Sequence, residues 1–419
     1  MDTSNGEAVT AEVALDLILG QLPLTKKTST VALQEAIGRI TATAITAPIN
    51  VPSFRNSAMD GYTFTHNADS AAQFESGSLV FKEAGVSLAG HPFESSFDED
   101  ECIRITTGAM LPDQANTIII KEDTQVIESS SGRMIRPLRY PGIGEYVRDI
   151  GSNIRMGQTL CEAGCKITPA VCGLLASAGI STVEIVAPLK VSLLSTGDEL
   201  SDPEQALSPG KIHDANRYFL RALLSSANVE IDDLGIVGDS LESLTTALDR
   251  AMQSDILISS GGVSVGEADM LRKALSSSGQ LQLWKILMKP GKPLTFGELH
   301  SGTRLFGLPG NPVSAMVTFT VFVAPAIRHM LGMPPQTQML LKASCQDNLV
   351  KQPGRMELQR GIMMTMQDGT LGVKSTGQQD SHILSSLAAA DCLIKLPLES
   401  AGAKIGDDVY IIPLSDNGF

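Results

Sequence analysis

What the chain lacks narrows its function first. Lys and Arg total 32 against 46 Asp and Glu, a formal net charge of -14 over 419 residues. That balance argues against a general nucleic-acid or anionic-membrane surface, because such partners are held by an excess of Lys and Arg. A small anion is a separate, local question, since a few cations and converging backbone N–H groups suffice to bind one. The chain has only six cysteines. Cys161 and Cys165 form a CxxxC, but no second pair follows at a zinc-like spacing and no His is nearby, so reduced thiols in a reducing compartment are expected. The opening MDTSNGEAVTAEVALDL has no basic region leading into an apolar core, which predicts no signal peptide. The most apolar segment, Val313 to Met330, is interrupted by Pro325, Arg328 and His329 and reads as a buried helix, not a membrane span. No tandem repeat and no low-complexity linker stands out.

What is present describes an ordinary globular protein. Hydrophobic residues make up 43% and charged residues 19%, enough to bury sizeable cores. The length calls for about three domains. Apolar spacing predicts helices over 10–22, 30–44 and 168–178. From Pro48 to about Tyr140, short apolar runs split by Gly, Pro and acidic clusters predict a mostly β domain. From Lys190 the pattern becomes strand, turn, helix, repeated: KVSLLS, VEIDDLGIV, DILISS and TRLFGLPG each run into a glycine-rich or acidic turn. Alternation of this kind predicts βαβ units and a parallel sheet. In such sheets ligands bind beyond the carboxyl ends of the strands, where these turns lie. After Pro334–Pro335 the texture is β again.

The turns supply the candidate chemistry. Gly261, Gly262, Ser264 and Gly266 lie in SSGGVSVG, between a strand and a helix. Glycines there admit a ligand close to the backbone, and a helix start offers unpaired N–H groups to a phosphate. The spacing matches neither a Walker loop nor a GxGxxG fingerprint. Asp198 and Glu199 in TGDEL, Asp239 in VGDS and Asp269 in GEAD place acids along the same edge. Each could cap a helix. Carboxylates facing a phosphate ordinarily need Mg²⁺ between them, and Asp269 and Glu199 are the candidate metal or ribose ligands. MKPGKP sets Lys289 and Lys292 around a rigid turn suited to an oxyanion, and LPGNP starts a helix at Pro312. Asp60, Arg148, Arg355, Ser381 and His382 are isolated polar candidates that nothing local groups.

A resemblance groups them. NSAMDGY, TTGA, STGDEL, DANR, SSGGVSVGEAD, MKPGKP, LPGNPVSA, GRMELQRG and SHILSSL occur in the order seen in the MoeA family of molybdopterin molybdenumtransferases, which includes the gephyrin E domain. The resemblance covers nearly the whole chain. It implies a multidomain α/β fold in which a doubly wound α/β domain has mostly β domains on either side, in an elongated subunit. The domains are expected at 1–50 plus 145–187 (helical or mixed), 51–144 (inserted β), 188–333 (α/β, molybdopterin-binding) and 334–419 (C-terminal β). It implies insertion of molybdenum from molybdate into adenylylated molybdopterin, with release of AMP and a requirement for Mg²⁺. It further implies a cytoplasmic homodimer, with the molybdopterin adenylyltransferase as a further partner.

Residue by residue, Asp60, Glu199, Asp239 and Asp269 resemble the family's functional acids. Thr107, Arg148, Lys285, Lys289, Lys292, Pro309, Pro312, Arg355 and Ser381 resemble its cleft residues. The glycine turn is expected to hold the nucleotide or phosphate, with Lys289, Lys292, Arg355 and Ser381 receiving molybdate. Three positions depart from the pattern: Asn153 and Arg55 stand where an acid is common, and Ser240 follows Asp239 where a second acid is common. Two other readings of the same α/β domain are a non-catalytic molybdopterin-binding scaffold and a nucleotide amidohydrolase, although the latter carries a GGxGPTxxD turn that this chain lacks.

Overall fold

The computed structural model describes residues 8–130, 132–261, 274, 279–291, 294–335 and 339–414. At its centre is a seven-stranded sheet in the order Ala8–Val9, Gly279–Ile286, Leu294–Leu299, Arg304–Leu308, Ile256–Ser260, Leu189–Thr196, Val229–Val237. The last four are mutually parallel. Gly279–Ile286, Leu294–Leu299 and Arg304–Leu308 are joined antiparallel. The sheet is therefore mixed, where the alternating pattern predicts a parallel one. Antiparallel neighbours need no crossover helix, and the short connection that contains Pro290 and Gly291 leaves no room for one.

Both faces of the central strands Leu189–Thr196, Ile256–Ser260 and Arg304–Leu308 are buried, as their near-continuous apolar runs require. Leu193, Ile256, Ile258 and Phe306 face one core with Leu220 and Leu224 of the helix Asn216–Leu224. Leu194, Leu257 and Leu305 face the other with Leu244 and Leu248 of the helix Leu241–Ala251. Neighbours in sequence thus point to opposite layers, which is the doubly wound arrangement. The apolar segment Pro312–Met330 runs through the first core and is 67% buried, although its length and mean hydropathy of 1.4 would also suit a membrane span. Its middle turn, Phe319–Val323, widens to a π-helix just before Pro325. Proline donates no N–H and crowds the preceding turn, and a π turn accommodates both effects.

Two β assemblies accompany the sheet. Residues 61–137 carry a six-stranded sheet with separate cores on its two faces, Tyr62, Phe64, Cys102 and Ile119 on one and Ile103, Ile105 and Ile118 on the other. The C-terminal strands Leu341–Cys345, Met356–Thr365, Leu371–Ser375, Cys392–Leu396 and Asp408–Pro413 close on themselves, because Met356–Thr365 pairs with both Leu371–Ser375 and Cys392–Leu396. Closure removes the exposed edges that an open sheet would present. Short ladders join distant stretches of chain: Thr28–Ala32 with Thr182–Val186, Ile45–Thr46 with Thr159–Cys161, and Asn56–Ser57 with Val147–Arg148.

The helix expected over 30–44 is absent. Thr28–Ala32 is a strand and Leu33–Glu35 a single 3-10 turn. Gly38 then adopts φ 80°, which a helix cannot include. Pairing with Thr182–Val186 decides the matter over local spacing. The helices Ala11–Leu19 and Pro169–Ser177 form where expected, each capped by a threonine hydroxyl (Thr10 and Thr168). All six cysteines are free thiols, Cys161 and Cys165 among them.

Candidate functional site

Three turns converge beyond the carboxyl ends of the parallel strands. Gly261, at φ +89°, leaves the strand Ile256–Ser260, and a Cβ there would lie 2.3 Å from the carbonyl oxygen of Thr196. Only glycine permits that approach. Its N–H donates to Leu308 O at 3.1 Å. A Cβ on Gly310 would rest 3.8 Å from Gly261 Cα. Thr196, Gly261 and Gly310 are therefore packed backbone against backbone. Gly262, Ser264, Gly266, Asp269 and Lys292 lie outside the described residues.

The acids of this edge are arranged as a pair with a neighbour. Asp239 accepts from Thr196 Oγ1 at 2.6 Å and from the Asp198 N–H at 3.4 Å. In return the Asp239 N–H donates to Asp198 Oδ1 at 3.4 Å. Lys211 Nζ donates to the Asp198 carbonyl. Glu199 is exposed, and its carboxylate folds back over Gly197, where a Cβ would meet Glu199 Oε2 at 2.5 Å. Asp239 thus contacts Asp198, a residue that the family resemblance does not single out. Among the described residues, no group of three or more His, Cys, Asp or Glu is placed to hold a metal ion.

Two further residues with no predicted role organise the same edge. Asn216, 8% exposed at the start of its helix, donates through Nδ2 to Ser260 Oγ and to Gly310 O, both at 2.7 Å. Arg217, also 8% exposed, reaches Asp214 at 3.1 Å, Asp233 at 2.9 Å and Asp202 at 2.7 Å. The DANR motif carries both, and an arginine directly after a helix-starting Asp-Ala-Asn is the signal that could have found them.

The cationic side of the edge comes from the MKPGKP hairpin and the C-terminal domain. Met288–Lys289 pairs in parallel with Met356 and Glu357. Lys289 Nζ lies 3.4 Å from both oxygens of Glu357, which also accepts from Gln359 Nε2 at 3.0 Å. Gly291, at φ +126°, is buried beneath Met288 and Thr318, so the hairpin is seated directly on the core helix. Lys285 is exposed on the strand leading into it, opposite Ala8. Arg355 is exposed in the turn before Met356–Thr365.

Ser381 meets the LPGNP helix start, where Val313 N–H donates to Ser381 O at 3.2 Å beside Pro312 and the buried Pro309. Behind it, Arg360 is 1% exposed and donates to the carbonyls of Gln378, Gln379 and Asp380 at 3.0, 3.0 and 3.1 Å, and to Ser386 Oγ at 3.1 Å. Burial lowers the pKa of its guanidinium below the usual value.

Asp60 and Thr107 form a separate pair, with Arg148 on a neighbouring strand. Thr107 donates to Asp60 Oδ1 from its N–H at 2.8 Å and its hydroxyl at 2.9 Å. Those two bonds hold the Asp60 carboxyl below the usual carboxylate range. Gly61 is obligatory beside it, since a Cβ would fall 1.9 Å from Ile119 O. Arg148 pairs with Asn56 at the base of the same loop. Among the described residues, these three share no hydrogen bond or ion pair with the central sheet. Asn153 is exposed in the turn that follows.

A cavity of about 630 Å³ between the helix Ala11–Leu19 and the C-terminal barrel is lined mainly by apolar side chains, and none of these candidate residues lines it.

Comparison with known proteins identifies the family. Models of the MoeA N-terminal region (domain I and II), a probable molybdopterin binding domain and the MoeA C-terminal region (domain IV) match residues 9–179, 192–329 and 342–414. The molybdopterin molybdenumtransferase of Haemophilus influenzae is 39% identical over 413 residues, covering 97% of this chain and 99% of that one. Molybdopterin molybdenumtransferase 2 of Mycobacterium tuberculosis is 32% identical over 393 residues, covering 92% and 95%. A molybdopterin biosynthesis MoeA protein from Pyrococcus horikoshii has the same fold, with a TM-score of 0.81 at 25% identity over 97% of this chain and 100% of that one. With three successive family models matched along its length and a relative of this identity over nearly its whole span, the chain belongs to the MoeA family of molybdopterin molybdenumtransferases.

Proposed function

We propose that this chain transfers molybdenum from molybdate to adenylylated molybdopterin and releases AMP. The observation that carries the reading is the convergence of the Thr196, Gly261 and Gly310 backbones at one sheet edge, with acids on one side and the Lys289 hairpin with the Ser381 loop on the other. An anhydride-bearing substrate fits such an edge. Its phosphates approach bare backbone, and a tetrahedral dianion approaches charge-assisted donors. The glycine turn holds the nucleotide phosphates, and Lys289, Lys292, Arg355 and Ser381 receive molybdate. Asp239, Glu199 and Asp269 line the phosphate side.

Mg²⁺ suits this donor set. It takes hard oxygen ligands and is usually held by one or two carboxylates plus substrate phosphates, so a three-acid cage is not required. Glu199 and Asp269 would hold it, where it would neutralise charge developing on the phosphoanhydride. Asp198 and Asp239 keep each other's carboxylates oriented through their own backbone N–H groups.

Asp60, Thr107 and Arg148 are assigned to a cleft shared between subunits, consistent with a homodimer in which a partner supplies this group. The reaction belongs to the cytoplasm, with the molybdopterin adenylyltransferase as donor of the adenylylated pterin. The test is to mix purified protein with adenylylated molybdopterin, molybdate and Mg²⁺ and follow AMP release. Release that depends on molybdate and is lost in Glu199→Ala or Asp269→Ala supports the transferase. Binding without release points to a scaffold.

A further inference from the structure

We propose that Asn216 is a positioning residue that fixes the spacing between the Gly261 and Gly310 turns, and through it the alignment of the phosphoanhydride for reaction; this rests on the transferase reading above. A side-chain amide has two N–H donors. In Asn216 the amide nitrogen reaches Ser260 Oγ and Gly310 O, each at 2.7 Å. Ser260 ends one parallel strand, and Gly310 lies just past the end of the next. One small side chain therefore ties together the two turns that flank the substrate. The parallel ladder that pairs Ser260 with Leu308 joins the strand ends below, and the backbone bond from Gly261 N–H to Leu308 O at 3.1 Å continues it, but the Asn216 amide is the side chain that reaches Gly310 beyond the ladder.

The bridge is itself held rigid. Arg217 N–H donates to Asp214 Oδ1 at 3.2 Å, and the Arg217 side chain is clamped by Asp202, Asp214 and Asp233. These contacts fix the first turn of the helix and with it the Asn216 Cα. Asparagine is an indifferent helix former, and its neighbour Ala215 gives no side-chain cap, so local helix stability does not account for it. Recognition of the two turns does. Aspartate has nearly the same shape but only acceptors, so it would set a charge against the Gly310 carbonyl.

Each turn can still bind its own part of the substrate without the bridge, but their mutual register is lost. Asn216→Ala is therefore expected to lower kcat for molybdate-dependent AMP release by about 10- to 100-fold, with KM for adenylylated molybdopterin shifting less than about 3-fold. Asn216→Asp is expected to behave like the alanine variant. Ser260→Ala removes one of the two bonds and is expected to lower kcat by roughly 3- to 10-fold with an unchanged melting temperature. The Asn216→Ala, Ser260→Ala double variant is expected to be no slower than Asn216→Ala alone, since coupled residues are not additive.

A purely structural role predicts a different result, with a lower melting temperature but wild-type kcat per folded molecule. That outcome, or fully additive losses in the double variant, overturns the proposal. Should Asn216→Ala not fold, a wild-type kcat in Ser260→Ala is sufficient to reject it. Wild-type protein that releases no AMP fails the transferase reading itself, whereas an active wild type with an equally active Asn216→Ala fails only the positioning role.

Discussion

Thr107 grips a single oxygen of Asp60 twice, from its backbone N–H at 2.8 Å and its hydroxyl at 2.9 Å. The backbone bond is the larger cause of the lowered Asp60 pKa and the hydroxyl bond the second. Thr107→Val removes only the second. Its expected result is an Asp60 pKa that rises part of the way to the ordinary aspartate value, read by side-chain carboxyl NMR. The sign follows from linkage. A carboxyl whose folded pKa is depressed adds stability above its unfolded pKa and loses it as pH falls through the folded value. The variant should therefore lose Asp60's contribution at a higher pH than wild type. An unchanged titration curve would show that the hydroxyl bond does not matter in solution.

Arg217 lies among three carboxylates, with Asp214 1% and Asp233 18% exposed at their side chains. Arg217→Met leaves Asp214 buried without its cation, while Asp233 keeps only the exposed Arg221 at 3.3 Å. Removing one partner of a buried ion pair costs about 3 to 5 kcal/mol, because the remaining charge stays buried and unpaired. The expected outcome is a lower urea midpoint for the central domain. Arg217→Lys keeps the charge but not the planar fork, and should fall between the two. A midpoint equal to wild type in Arg217→Met would mean that the acids find other partners.

How much of this was legible in the sequence depended on whether the cause was local. The strand Val229–Val237 and the helices Asn216–Leu224 and Leu241–Ala251 follow from apolar runs and periodicity, which both core layers enforce. The strand ends at Thr196, Ser260 and Leu308 are readable for the same local reason, since an apolar run that stops at Gly or Pro needs no distant partner. Residues 30–44 misled, because Val31 and Ala32 owe their strand conformation to Val183 and Thr182, about 150 residues away. Asn216 and Arg217 could not be assigned roles for a similar reason. Their partners Ser260, Gly310, Asp202 and Asp233 are brought together only by the completed sheet. The MKPGKP motif points to Lys289 as an oxyanion donor, but its pairing with Glu357 depends on the C-terminal domain folding back against the hairpin.

That pairing carries its own prediction. Glu357 is 6% exposed and sits where a dianion is proposed to bind, so its charge opposes the ligand while it orients Lys289. Glu357→Gln keeps an amide oxygen to accept from Gln359, and the fold should survive. Removing one negative charge should lower the KM for molybdate by roughly 3- to 10-fold at low ionic strength, since like charges a few ångströms apart cost about 1 kcal/mol or more even in water. The difference should shrink at about 1 M salt, where the Debye length is near 3 Å. A KM that rises instead would mean that orienting Lys289 outweighs the repulsion.

Arg360 acts on Ser381 through the backbone that precedes it. Its guanidinium satisfies the carbonyls of three successive residues, Gln378, Gln379 and Asp380, and its N–H is fixed by Gln379 Oε1 at 2.8 Å. All four of its side-chain bonds go to this loop and to Ser386, while the carboxylates of Asp380 and Glu357 act on it only electrostatically, so its hydrogen-bonding work is to hold this loop. Arg360→Met should leave those carbonyls without partners, at a cost of about 1 to 3 kcal/mol for each one that water cannot reach. The loop would be released and Ser381 displaced from the Val313 helix start. We expect weaker molybdate binding by about 10-fold in calorimetry, together with faster proteolysis of the chain near residue 378. Arg360→Lys offers three donors from one nitrogen, which cannot span three carbonyls in the same geometry, so only partial recovery is expected. Full recovery by lysine would indicate that the positive charge alone supports the molybdate site, while unchanged binding in Arg360→Met would remove Ser381 from it.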